Sequence, residues 1–74
     1  MKPTSANIYK MCQFIKEDDK NSDIMDCYEE CMDGELDPNT LIEILQDRFE
    51  DCREDFMNDP RKDQYLKYTR WLGI

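Results

Sequence analysis

After Asp37-Pro38 the apolar residues Ile42, Leu45, Phe49, Cys52 and Phe56 step by three, four, three and four. At about 100° per residue that spacing gathers them into one stripe, as an α-helix does and a strand does not. The stripe predicts a long amphipathic helix over 38–57. Asp37 and Pro38 supply its start: an Asp at the N-cap accepts a hydrogen bond from a free backbone N–H, and Pro at the first helical position loses no bond through its missing N–H. Asp59-Pro60 repeats the signal ahead of RKDQYLKYTRWL, predicting a helix over 60–72 with Tyr65, Tyr68, Thr69 and Leu72 on its buried face.

The first half of the chain reads the same way. Ile8, Met11, Cys12 and Ile15 recur at helical spacing, as do Ile24, Cys27, Tyr28 and Cys31. The first set predicts a helix over about 5–19, begun by Pro3 with Thr4 or Ser5. The second predicts one over about 23–33, begun at Ser22 and ended by Gly34 in the left-handed conformation that follows many helices. No window alternates with period two. The expectation is an all-α fold: one acidic domain over 1–74, a small bundle of three to four helices. At 74 residues there is room for a single core, and a chain of about 60 residues buries only roughly 60% of its unfolded surface.

Charge is separated by region. Seventeen of the eighteen carboxylate side chains lie between Glu17 and Asp59, against Lys20, Arg48 and Arg53, so this stretch carries −14. The segments on either side each carry +3 within a net charge of −8. On the predicted second helix Asp23, Asp26, Glu30 and Asp33 repeat away from the apolar face; on the third, Glu43, Asp47, Glu50 and Glu54 lie opposite the stripe. Each helix is expected to present an acidic rail to water. With a rise of about 1.5 Å per residue, a rail holds one charge per roughly 5 Å, about a third of the density of duplex DNA, whose two strands together carry one charge per about 1.7 Å. Adjoining rails would approach that density. The alternative is a solvated face that only keeps a small protein soluble, although like charges four residues apart each cost a helix about 0.2–0.5 kcal/mol.

Several functions are made improbable by what the chain lacks. Without histidine there is no side chain whose ordinary pKa lies near neutrality, and with glycine only at 34 and 73 there is no phosphate-cradling loop. A non-enzymatic protein is expected, with no cofactor. A net charge of −8 opposes direct binding to nucleic acid or to an anionic membrane. The absence of a signal-like or membrane-spanning apolar run leads to the expectation of an intracellular, cytoplasmic protein.

Four cysteines, Cys12, Cys27, Cys31 and Cys52, raise a four-cysteine zinc site as a third reading, but only Cys27 and Cys31 are closely spaced and all four fall on apolar stripes, where free thiols behave as small hydrophobes. The acidic middle also lacks the ligand order of a calcium-binding EF-hand loop.

The last helix carries Arg70-Trp71, residue types over-represented at binding hot spots. The competing reading has Trp71 closing one end of the bundle while the basic residues balance the acidic helices. The preferred expectation is an inhibitor or regulator that docks Asp26, Glu30, Asp33, Glu43, Asp47, Glu50 and Glu54, with Arg70 and Trp71 as further contacts, on a partner protein with a basic surface. A nucleic-acid-handling enzyme is the favoured partner, engaged by nucleic-acid mimicry of the sort phages and mobile elements encode. The runner-up is a homo-oligomeric module, such as a homodimer, pairing through apolar surface on the third and fourth predicted helices.

Overall fold

A computed structural model of the chain describes residues 4–74, in which five helices and no strand occur: α1 Ser5–Asp18, α2 Ile24–Met32, α3 Pro38–Asp51, α4 Arg53–Met57 and α5 Lys62–Leu72. The fold is all-α, as the spacing of apolar residues predicts. Pro3 and Lys2 lie outside the described residues. Thr4 caps α1, its hydroxyl accepting from the Asn7 N–H at 3.2 Å, and Asp37 caps α3 by accepting from Asn39 at 2.9 Å, with Pro38 following as expected. Ser22 Oγ accepts from the Ile24 N–H where α2 begins. Gly34, at φ 83°, ends α2: its N–H bonds Cys31 C=O and the next N–H, of Glu35, reaches back to Glu30 C=O.

Two expectations are corrected. The predicted helix over 38–57 is two helices, broken at Cys52, which sits at φ −92° and ψ 3°. The break turns Phe56 onto Phe14, at 4.6 Å between ring centroids, and onto Tyr65 at 5.1 Å. It also moves Glu54 and Asp55 from the end of a long helix, where the dipole disfavours carboxylates, to the first turn of a new one, where it favours them. Because the break leaves the three-and-four stepping in phase, periodicity alone does not reveal it. At the second Asp-Pro, Asp59 closes a turn, accepting from the Arg61 N–H at 2.8 Å, and α5 starts at Lys62, two residues later than predicted.

α3 is the hub: α1, α2, α4 and α5 all pack against it, while α1 also meets α2 and α4 meets α5. One apolar cluster results, with Met11, Cys12, Leu41, Leu45, Phe49 and Phe56 wholly buried. Leu41 takes the core position on α3, while Ile42 is only half-buried. Phe14 was outside the predicted stripe of α1, about 110° round the helix from its middle, yet it is 3% exposed because α4 and α5 cover a second side of α1. Arg61 closes that side, its guanidinium 5.3 Å from the Phe14 ring and 5.1 Å from the Phe56 ring. Tyr65 donates its hydroxyl to Phe49 C=O, so this buried polar group is satisfied. Among the described residues no helix is long and apolar enough to cross a membrane.

Candidate acidic interaction surface

Asp26 and Glu30 on α2, Asp33 at its end, Glu43, Asp47 and Glu50 on α3, and Glu54 on α4 are all exposed, and among the described residues none of the seven is in an ion pair. The helical arithmetic therefore places their side chains on the surface as expected, except that Glu54 stands beyond the break at Cys52. α2 and α3 pack against each other. Their seam carries a cation: Arg48 of α3 reaches Asp23, at the start of α2, at 3.6 Å. The two rails are thus joined through a guanidinium and are not one uninterrupted anionic strip.

A second concentration of charge was not legible in the rails. Asp19, just after α1, and Asp51 at the end of α3 line one groove with the half-buried Cys52, and Asp18 and Asp55 lie near enough to add to the negative charge its thiol feels. Burial first, and then Asp18 and the three other carboxylates, push the Cys52 thiol above its ordinary value. The groove, of about 430 Å³ between the α1–α2 loop and the end of α3, is lined by Asp23 and Arg48 as well. Lys16 shapes that loop by donating to Lys20 C=O at 2.7 Å and Ser22 C=O at 2.8 Å. The only sequence signals were the acidic runs Glu17-Asp18-Asp19 and Glu50-Asp51, which do not say which helix ends will meet.

The basic segments largely fail to neutralise this surface. Arg61 pairs with Asp59 at 3.1 Å and Asp18 at 3.5 Å, and its hydrogen bonds hold the Asp59 carboxyl below its usual range. Lys10, Lys62, Lys67 and Arg70 make no ion pair. Lys10 and Lys67, from opposite ends of the sequence, instead line one groove between α1 and α5 together with Gln13 and Gln64. The expectation that α5 balances the acidic helices therefore fails except at Arg61. Trp71 is half-buried, its ring 5.3 Å from Tyr68 and capped by Lys67 Nζ at 4.9 Å, whereas Arg70 is exposed. Trp71 thus packs partly buried against the core, while Arg70 beside it in sequence faces solvent.

The four cysteines are free thiols and they divide. Cys12 lies near enough to Cys27 and Cys31 for them to add to the effect of burial, which pushes its thiol up to about 12. Cys52 stands apart among its carboxylates. Among the described residues no three Cys, Asp or Glu side chains are disposed to hold one metal ion, so the four-cysteine site has no geometric support. Comparison with protein-family models, with characterised proteins and with solved structures finds no match.

Proposed function

We propose that this chain is a non-enzymatic interaction protein that docks its carboxylates on the basic surface of a partner protein, in the place that a nucleic acid would occupy. One observation carries the reading: among the described residues seven exposed carboxylates on α2, α3 and α4 are without an ion pair, although nine Lys and Arg residues are described. A face that served only solubility would gain by interleaving lysines, since each like-charge repeat costs about 0.2–0.5 kcal/mol. Retaining the repulsion makes physical sense where a cationic partner relieves it. Asp19, Asp51 and Asp55, exposed and outside the ion pairs of the described residues, extend the anionic surface past the α3–α4 break and add to the field that steers a basic partner.

The reading is tested by capturing partners from a cell lysate at about 50 mM and 500 mM salt, with wild type and with Glu43→Lys combined with Asp47→Lys. Basic nucleic-acid-binding proteins should be retained at low salt, released at high salt, lost by the double variant and displaced by added duplex DNA. Partners that survive both high salt and charge reversal would overturn it.

A further inference from the structure

Four large apolar side chains are exposed among the described residues: Tyr9, Met32, Leu66 and Ile74. Tyr9 already packs its ring against Tyr28, tilted, at 5.2 Å and accepts a hydrogen bond from Gln13. Leu66 and Ile74, 37% and 43% exposed, differ from it in lining one groove of about 320 Å³, between the end of α3 and α5. The rest of the lining is Tyr65, Thr69, Glu50 and Arg53. Tyr65 spends its hydroxyl on Phe49 C=O, and Thr69 donates its own to Leu66 C=O at 2.9 Å, so both polar atoms are satisfied without a ligand. What the groove offers to a visitor is apolar surface and two charges of opposite sign.

Those charges identify the visitor. Glu50 and Arg53 stand three residues apart on either side of the α3–α4 break, and among the described residues neither is in an ion pair. A basic partner would satisfy Glu50 and repel Arg53, an acidic one the reverse, and a purely apolar one would leave both uncompensated. A second copy related by a twofold axis presents both signs at once, because in such an interface residue i meets j while j meets i. We propose that this face is a homodimer interface, in which Leu66 and Ile74 of two copies pack together and Glu50 of each pairs with Arg53 of the other. The groove combines exposed Leu and Ile side chains with charges that answer each other.

The size and the charge of the molecule set how the dimer behaves. Its whole surface is 4965 Å², so even a weak interface of about 600 Å² per copy would cover roughly an eighth of it. Each copy also brings a net charge of −8, and repulsion between two such bodies is long-ranged at low salt and is screened as salt rises. Dimerisation therefore strengthens with salt, opposite to docking on a basic partner. The two surfaces share Glu50, but Glu43 and Asp47, whose reversal tests the docking, lie outside the groove, so the two properties fail separately.

Sedimentation equilibrium of the full chain from about 5 to 500 μM, at about 10 mM and 0.5 M salt, measures it. The expected result is a monomer–dimer equilibrium whose association constant is larger at high salt. Leu66→Glu, at an exposed position that leaves the helical circular dichroism intact, should lower the constant at least about tenfold, a difference of roughly 1.4 kcal/mol. Arg53→Glu alone should weaken association, and adding Glu50→Arg should restore it, because the swapped pair again meets its opposite across the axis. A monomer at every concentration and salt would overturn the proposal. So would a dimer indifferent to Leu66→Glu, or one that the charge swap does not rescue.

Discussion

Replacing Phe14 by alanine removes the side chain on which three other helices converge. Its ring lies 4.6 Å from Phe56 on α4, 5.2 Å from Tyr68 on α5 and 5.9 Å from Phe49 on α3, and it is 3% exposed. Truncating a buried Phe to Ala costs about 3–5 kcal/mol. Three aromatic partners, each worth about 0.5–1.5 kcal/mol beyond area burial, place this site near the top of that range. Stability of about 0.05–0.15 kcal/mol per residue gives a chain of this length roughly 4–11 kcal/mol in all. Phe14→Ala should therefore remove from about half to all of that stability. Phe14→Leu keeps most of the volume and gives up the ring contacts, so a loss of about 1–2 kcal/mol is expected. Tyr9→Ala on the same helix is the control: among the described residues that ring has one aromatic partner, Tyr28, and it is 37% exposed, so its removal should cost less than about 1 kcal/mol. Urea unfolding followed by far-UV circular dichroism ranks the three. If Phe14→Ala unfolds at the same urea concentration as Tyr9→Ala, the aromatic junction does not hold α1 to α4 and α5 as described.

Two further outcomes follow from the charges and the thiols. The Cys12 thiol is raised from 9.0 to about 12, chiefly by burial, so the native state keeps this proton more tightly than the unfolded chain does. Its contribution is fully present below pH 9 and is lost as pH climbs toward about 12, a total of about 4 kcal/mol. Cys27, Cys52 and Tyr65 are raised as well and act in the same direction. Urea midpoints between pH 7 and 11 should thus fall steeply above pH 9 and less steeply in Cys12→Ala; superimposable profiles would remove Cys12 as the cause. Separately, with seven rail carboxylates exposed and without ion pairs, raising salt from about 10 mM to 0.5 M shortens the Debye length from roughly 30 Å to a few ångströms. At about 5 μM protein the melting temperature should then rise by at least about 4 °C, and a flat or falling response would mean that the rails do not repel one another.

The sequence by itself determined what local physics controls. The Asp37-Pro38 start, the left-handed stop at Gly34 and the helical stepping of Ile8, Met11, Cys12 and Ile15 are settled within a turn or two of chain, where a capping oxygen, a missing Cβ or a repeat of 3.6 residues has its effect. It also determined that the middle of the chain is anionic and, through the same period, that Asp26, Glu30, Asp33, Glu43, Asp47 and Glu50 turn away from the core. Tertiary structure decided the rest. The break at Cys52 leaves the apolar stepping in phase, and what distinguishes it is that Phe56 then reaches Phe14, 42 positions earlier in the chain. Phe14 is core only because α4 and α5 cover its side of α1, and Asp59 closes a turn in which Arg61 is held against two rings. The meeting of Asp19 with Asp51 in one groove, and of Glu50 and Arg53 with Leu66 and Ile74 in another, likewise depends on which helix ends pack together. Burial of apolar surface is non-directional and scales with area; a sequence can show which face of each helix must be covered, but only the packed arrangement shows what covers it and which charges are left facing outward.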